Sequence, residues 1–233
     1  MKKTGILNPD LSTSVLLPAV HREVNLERFL KRYGAGTRRR VMEPIYREML
    51  EEARVLLQPL CLYESFPARQ VPQYGDFIPG AECVILGICS AGTGIDSRVE
   101  ALAKSRLAEA VVLDEIGTAM VLELANQMYQ HIRAAAQEKQ QRTSPSYRPG
   151  IGRWPLELQN DIYEDLSAES YGLRLHESLQ ILPQKTVSMI VGSGSELRIQ
   201  RMPVKWYRRK RNHAFQSNIN DSGNQTGSGY SIG

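Results

Sequence analysis

The feature that most constrains the fold is a long helical pattern between about residues 97 and 138. At about 100° per residue, its apolar side chains form one stripe, made of Val112, Ile116, Met120, Leu124 and Met128. We expect a break near Lys104, which divides the pattern into two helices. A helix of this length with one apolar face is typical of a helix packed against a sheet.

Two carboxylates interrupt this stripe. Glu109 and Glu123 each lie seven residues from Ile116 and project within about 20° of it. One interpretation is that both lie at the edge of the stripe and reach water, since carboxylates are seldom buried without a partner. The other is that Glu123 forms the wall of a pocket for a cationic ligand. The sequence leaves both interpretations open.

Several short apolar runs predict a sheet beside these helices. CVILGIC at 83–89 predicts a strand, and CLYESF at 61–66 predicts a second one. Alternation at 173–175 and 187–191 predicts two more strands, joined as a hairpin around Pro183 and closed by glycines. The fold class is therefore predicted as α+β, with a twisted, mainly antiparallel sheet and helices packed against it.

Two further helices complete the pattern. The first runs from about Glu43 to Leu57, where Pro44 suits a first turn. The second is the short segment LELQNDIYEDL at 156–166, with Pro155 near its first turn.

The two ends of the chain differ from its middle. Residues 1–20 are broken by prolines and predict an irregular lead-in, whereas residues 21–204 predict one domain. Residues 205–233 begin with the basic run KWYRRKRNH and continue in Asn, Ser and Gly, which predicts a disordered tail. The basic run exceeds the whole net charge of +4, so the rest of the chain is nearly neutral.

Composition also indicates the compartment. No apolar run approaches 18 residues, and the N-terminal apolar stretch is too short and proline-broken for a signal peptide. Three cysteines without a CxxC pair favour a reduced, cytoplasmic chain. We expect no membrane association.

No standard catalytic or metal-binding motif is present. GSGS at 192–195 and AGTG at 91–94 predict turns rather than phosphate cradles, and the four histidines have no HExxH spacing. The run at 205–211 has aromatic and basic residues that suit polynucleotides, but a nearly neutral body favours a solvated flank. Nucleic acid is not the expected partner.

A loop rich in glycine, proline and arginine, YRPGIGRWPLELQ at 147–159, predicts a rigid turn by itself. Together with YGLRLHESLQILPQKTVSMIVG further on, it resembles the activation domain of vitamin-B12-dependent methionine synthase. VVLDEIGTAMVLELANQM resembles the preceding helix of that family, and ERFLKRYGAG with LLQPLCLYES resembles its free-standing short members. The resemblance spans about residues 24–192.

This resemblance implies that the chain binds and positions a ligand instead of supplying a nucleophile or an acid. It implies a subunit that binds S-adenosylmethionine and acts in trans on a cobalamin-dependent methionine synthase or a related corrinoid methyltransferase. The partner would carry the cobalamin, and flavodoxin or ferredoxin would supply an electron for reductive methylation of cob(II)alamin. The alternative is a docking module for a corrinoid protein that binds no S-adenosylmethionine. The resemblance implies no catalytic residue in this chain, and enzyme status stays open.

The family's loop, roughly Arg-x-x-Pro-Gly-Tyr, fits this chain in two registers. One aligns Pro149 and Gly150 with its Pro-Gly and puts Ile151 at its tyrosine. The other matches Arg142, Pro145 and Tyr147, with Ser146 in place of the glycine and RPGI at 148–151 as an insertion. The resemblance therefore implies a ligand site made of Arg142, Tyr147, Arg148, Pro149, Gly150 and Ile151. Glu123 is added to this site as its acidic residue from the helix geometry. Some short relatives end in a cysteine-rich tail, which this chain lacks, so no metal site is expected.

Overall fold

The computed structural model describes residues 37–198, with side chains from residue 40 onward. The predicted lead-in at 1–20, the N-terminal part of the resemblance at 24–36 and the basic tail at 205–233 lie outside the described residues. The domain limits expected from the sequence therefore stay predictions.

Helices and strands alternate irregularly along the described chain. The helices are α1 (Thr37–Leu56), α2 (Pro72–Gly75), α3 (Gly94–Ala103), α4 (Leu107–Glu138) and α5 (Leu158–Asp165). The strands are β1 (Leu60–Pro67), β2 (Cys83–Ser90), β3 (Arg142–Thr143), β4 (Arg174–Leu175), β5 (Ile181–Leu182) and β6 (Thr186–Gly194).

The main sheet has the order β1-β2-β6-β3, and all its neighbours are antiparallel. β2 pairs along its whole length with both neighbours, from Leu60 to Pro67 on β1 and from Thr186 to Ser193 on β6. β4 and β5 form a separate two-stranded pair. This arrangement confirms the predicted α+β class and the predicted strands at 61–66 and 83–89.

Each face of the sheet covers its own hydrophobic core. Ile85 and Cys89 of β2 pack in one core with α1, α3 and α4. Leu86 and Ile88 pack in the other core, with α5 and the segments around it. Because both faces are covered, β2 is apolar at nearly every position instead of alternating with polar residues.

The apolar stripe of α4 packs against the sheet as predicted. All five of its residues are buried, and the break between α3 and α4 falls at residues 104–106. Gly87 in the middle of β2 makes this close packing possible. A Cβ atom there would lie 2.5 Å from Met128 Cε and 3.1 Å from Met189 Cγ.

The hairpin predicted around Pro183 is wrong. The strand that contains 187–191 does not pair with the one near 174; β4 pairs with β5, while β6 enters the main sheet between β2 and β3. A strand buried on both faces gains two sets of backbone hydrogen bonds only as a central strand, and this explains its position.

Two glycine motifs differ from each other in the structure. AGTG forms the predicted turn, with Gly92 at φ +82° and α3 beginning at Gly94. The predicted turn at GSGS is wrong, because β6 continues to Gly194. The glycine at position 192 is required for packing instead, since a Cβ there would lie 2.6 Å from Ile78 Cγ2.

The position of Pro44 also differs from the prediction. α1 begins at Thr37, so Pro44 lies inside the helix and not in its first turn. The proline is exposed, and water can bond the carbonyl that its missing N–H leaves free.

A buried lysine fastens the start of β6 to α3 and α4. Lys185 is buried and its ammonium group donates a hydrogen bond to the Asp114 carboxylate of α4. The backbone N–H of Gln184 donates to Asp96 of α3 at 2.6 Å. Gly117 lies under the lysine stem, because a Cβ there would come within 3.3 Å of Lys185 Cε and 2.8 Å of Ile95 Cγ2.

Replacing Gly117 by alanine should destabilise the protein, although alanine is the better helix former. The gain in helix propensity is about 1 kcal/mol, whereas overpacking costs about 1–3 kcal/mol. Urea denaturation should give a lower free energy of unfolding for Gly117→Ala. The exposed neighbour Thr118→Ala is the control and should show little loss. Equal or greater stability of Gly117→Ala would contradict this packing.

Candidate functional site

Residues 142–147 form an edge strand along β6. Arg142 and Thr143 pair with Gly194 and Ser193, and the Ser144 N–H donates to the Gly192 carbonyl at 2.8 Å. Tyr147 and Ile190 then exchange two backbone hydrogen bonds of 2.9 Å. From residue 144 to residue 147 the edge strand advances three residues, while β6 advances only two, from 192 to 190. The extra residue makes a β-bulge at residues 145–146.

A compact turn follows the edge strand. The Gly150 N–H donates to the Trp154 carbonyl at 2.9 Å, and the Ile151 N–H donates to the Arg148 carbonyl at 3.2 Å. Gly150 and Gly152 have φ values of +75° and +68°, in the left-handed region that glycine adopts without strain. The glycines of the motif therefore shape the turn.

An aromatic stack holds this turn against the sheet. The ring of Trp154 lies between Tyr147 and Phe77, with centroid distances of 4.9 Å to each. Arg153 lies 5.7 Å from the Phe77 ring and donates a hydrogen bond to the Phe77 carbonyl. Burial raises the pKa of Tyr147, so its phenol stays protonated at neutral pH. We call residues 142–154 the edge loop.

Arg142 and Arg148 of the edge loop lie on opposite sides of the sheet. Arg142 and Tyr147 pair with Gly194 and Ile190, so both lie on the α5 side. Arg148 follows Tyr147 and lies on the α4 side. Burial raises the pKa of the Cys89 thiol, and the positive charge of Arg148 lowers it by a smaller amount.

Glu123 does not face the edge loop. α4 touches this loop through Tyr129, whose hydroxyl donates to the Ser144 carbonyl at 3.0 Å. Glu123 lies about 120° away from Tyr129 around the helix axis. It is half-buried and accepts a hydrogen bond from Gln127 at 2.9 Å.

Glu109, the other carboxylate beside the stripe, forms an ion pair with Arg106 at 3.3 Å. Both carboxylates thus have partners at the margin of the stripe. The six predicted site residues between 142 and 151 all lie on the edge loop, with Arg148 on the opposite side of the sheet from Arg142 and Tyr147. Glu123 lies apart from them.

Several polar groups of the edge loop have no partner in the described part of the chain. The guanidinium groups of Arg142 and Arg148 form no hydrogen bond or ion pair with residues 40–198. Within the same range, the Ser146 Oγ and Trp154 Nε1 atoms are buried without a hydrogen-bond partner. Buried polar atoms of this kind are rare and indicate a bound water or ligand. Pro149 is buried, whereas Gly150 and Ile151 are exposed.

Sequence reasoning missed two aromatic residues of this site. Phe77 contacts Trp154 of the edge loop from 77 residues away in the chain, and Tyr129 contacts Ser144 from 15 residues away. No local pattern marks either one, because their role depends on the position of β6.

The described residues contain no group of three or more His, Cys, Asp and Glu side chains arranged to hold a metal ion. None of the helices in residues 37–198 has the length and apolar character needed to span a bilayer.

Glu82 holds the two strands together at one end of the β3–β6 pairing, beside Arg142 and Gly194. Its carboxylate accepts the Ser195 N–H at 2.7 Å, the Ser195 hydroxyl and the Gln141 side-chain amide at 2.9 Å. The two hydrogen bonds from Ser195 lower the pKa of Glu82 most, and the one from Gln141 lowers it further.

Glu82→Gln should therefore destabilise the protein in a pH-dependent way. A carboxylate whose pKa is lowered by folding adds stability above its unfolded pKa of about 4.3, and this stability is lost as pH falls through the folded pKa. We expect a lower Tm than wild type at pH 7 and a smaller difference at pH 3 to 4. A difference that stays constant over this range would contradict the role of the carboxylate charge.

The aromatic stack gives a second prediction. Trp154→Ala should lower the free energy of unfolding by about 3–5 kcal/mol, since it removes a buried indole. Trp154→Phe should cost much less, because it keeps a ring between Tyr147 and Phe77. Chemical denaturation of both variants checks this, and equal losses would show that the stack itself does not hold the loop.

Comparison with known proteins indicates the fold. No protein-family model and no curated protein matches the sequence. Among solved structures, the MetH reactivation domain bound to AdoHcy matches with a TM-score of 0.59, over 84% of this chain and 83% of that chain. The two sequences are 14% identical, so the likeness concerns the fold alone. The chain therefore has the α+β fold of the MetH reactivation domain.

Proposed function

We propose that this chain binds S-adenosylmethionine at its edge loop. In this proposal it is a cytoplasmic reactivation subunit that acts in trans on a cobalamin-dependent methionine synthase or a related corrinoid methyltransferase. The observation that carries the proposal is the edge loop itself. Within a fold that has been solved with AdoHcy in another protein, it presents two arginines, Arg142 and Arg148, that have no hydrogen-bond or ion-pair partner among residues 40–198.

The residues of the edge loop fit this ligand. The carboxylate of S-adenosylmethionine needs a cationic partner, and Arg142 or Arg148 would supply one through a charge-assisted hydrogen bond. The hydroxyl and amino groups of the ligand need hydrogen-bond partners. The buried Ser146 Oγ and Trp154 Nε1 atoms would serve as such partners. Tyr147 and the exposed backbone at 150–151 would complete the site.

The strand pairing favours one of the two sequence registers. Arg142 and Tyr147 lie on one side of the sheet, joined by the bulge that contains Pro145. In this register residues 148–151 are an insertion, and they form a turn that leaves the strand intact. Arg148, on the other side, is then the less favoured carboxylate partner.

The contribution of this chain is binding and orientation. S-adenosylmethionine, when bound, supplies an electrophilic methyl group. The edge loop would hold that group at one place, because the bulge, the left-handed glycines and the aromatic stack fix its backbone. A corrinoid protein or methionine synthase subunit would carry the cobalamin, and flavodoxin or ferredoxin would supply the electron.

A docking module without S-adenosylmethionine is the second candidate. Ile151 at the turn and Leu156 just after it are 46% and 45% exposed and form an apolar tip. Leu156 lies close to Gly150, since a Cβ there would be 3.2 Å from Leu156 Cδ1. Such an apolar tip suits a protein surface as well as a ligand.

Calorimetric titration of S-adenosylmethionine and AdoHcy into the purified chain tests the proposal. We expect specific binding, weakened about 10- to 100-fold by Arg142→Ala, since a hydrogen bond to a charged group contributes about 1.5–3 kcal/mol. Arg148→Ala should have a smaller effect. Arg174→Ala, an exposed arginine on β4, is the matched control and should leave affinity unchanged.

Absence of binding at millimolar ligand would overturn the proposal and leave the docking module. A loss confined to Arg148→Ala would reverse the choice of register. Action in trans has its own assay. The chain should restore methylcobalamin formation in a methionine synthase that lacks its reactivation domain, given S-adenosylmethionine and reduced flavodoxin.

A further inference from the structure

Two cysteines face each other inside the core between the sheet and α4. Cys61 of β1 and Cys89 of β2 are directly opposite in the antiparallel register, and their Sγ atoms are 3.4 Å apart. Both are buried, with 3% and 0% exposure. The Cys89 thiol also lies 3.8 Å from Met128 Sδ. This Cys61–Cys89 pair has no part in the proposed ligand site.

The backbone around the pair is compatible with a disulfide. Opposite residues in antiparallel strands have Cα atoms about 4.5–5.5 Å apart, within the range of about 4.4–6.8 Å that disulfides span. The sulfur atoms need to approach by roughly 1.4 Å to reach the bond length of about 2.0 Å. Side-chain rotation with a small strand adjustment provides this, so the sheet can remain paired.

We infer that Cys61 and Cys89 are a redox-active pair, which a low-molecular-weight disulfide such as oxidised glutathione converts into an intrachain disulfide. The thiolate of Cys61 attacks one sulfur of the oxidant and releases one reduced glutathione. Cys89 then attacks the mixed disulfide and releases the second glutathione, as its own proton leaves to solvent. Two cysteines are oxidised, and one glutathione disulfide is reduced to two thiols.

Strand order determines which cysteine reacts first. β1 is an edge strand of the main sheet, whereas β2 is paired on both sides. Local opening of an edge strand costs less than opening of a central one, so Cys61 meets the oxidant first. Burial raises the pKa of Cys89, which makes the pair slow to react while the sheet is closed.

The crosslink would join β1, at one edge of the main sheet, to the central strand β2. It closes the chain from residue 61 to residue 89, which restricts the unfolded state and raises the melting temperature. The inference stands independently of the proposed function, since it depends only on the sheet.

The test uses the full chain with Cys83→Ser, so that only the proposed pair remains. Cys83 lies opposite Pro67 at the far end of the β1–β2 ladder, and its replacement leaves the pair untouched. After incubation with oxidised glutathione, we expect an intact mass lower by two hydrogen atoms and a Cys61–Cys89 linked peptide. The melting temperature should rise and return to its first value with dithiothreitol.

Cys61→Ala and Cys61→Val in the same background are the controls. Either variant should form no intrachain crosslink and show no reversible rise in melting temperature. Two free thiols after prolonged oxidation, or a stable glutathione adduct at Cys61, would overturn the inference. So would a crosslink that leaves the melting temperature unchanged or lowers it. Because the Cys83→Ser chain keeps both core cysteines, the test does not depend on whether the core variants fold.

Discussion

The close packing of α4 on β2 and β6 is the constraint on which the rest of the structure depends. Gly87 lets the thioether of Met128 reach the plane of the sheet, and Gly117 lets the stem of Lys185 pass under α4. Once α4 covers one face of the sheet, β6 must lie between β2 and the edge strand that contains β3 to be buried on both sides. The position of the edge loop follows from that placement, because it is built on the free side of β6.

The edge loop combines a fixed backbone with polar groups that have no partner among the described residues. Its backbone is held by the pairing with β6, the bulge and the stack of Tyr147 on Trp154. Two of its arginines, Arg142 and Arg148, and two buried polar atoms have no hydrogen-bond partner among residues 40–198. Selection for stability alone would pair or remove such groups, and this is why we propose a ligand for them. The proposed role by positioning agrees with this division.

The two cores have different tasks in this arrangement. The core on the α4 side contains the long helices and the Cys61–Cys89 pair, and it supports the sheet. The core on the α5 side contains Trp154 and supports the edge loop. The sheet separates the two cores, and Tyr129 of the first core also reaches the edge loop directly through its hydrogen bond to the Ser144 carbonyl. The inferred redox pair can still be tested separately, because oxidation and melting are measured without the ligand of the proposed site.

The sequence by itself determined the elements with strong local signals. The stripe from Val112 to Met128 predicted α4, and the run CVILGIC predicted β2, since burial of one helix face or of a whole strand leaves a pattern in the sequence. Only the tertiary structure decided that β6 joins the main sheet, that Pro44 lies inside α1, and that Phe77 and Tyr129 meet the edge loop. It also decided that Glu123 faces away from this loop. These features depend on contacts between residues far apart in the chain, and no local periodicity encodes which strand, or which side of a helix, such a residue will meet.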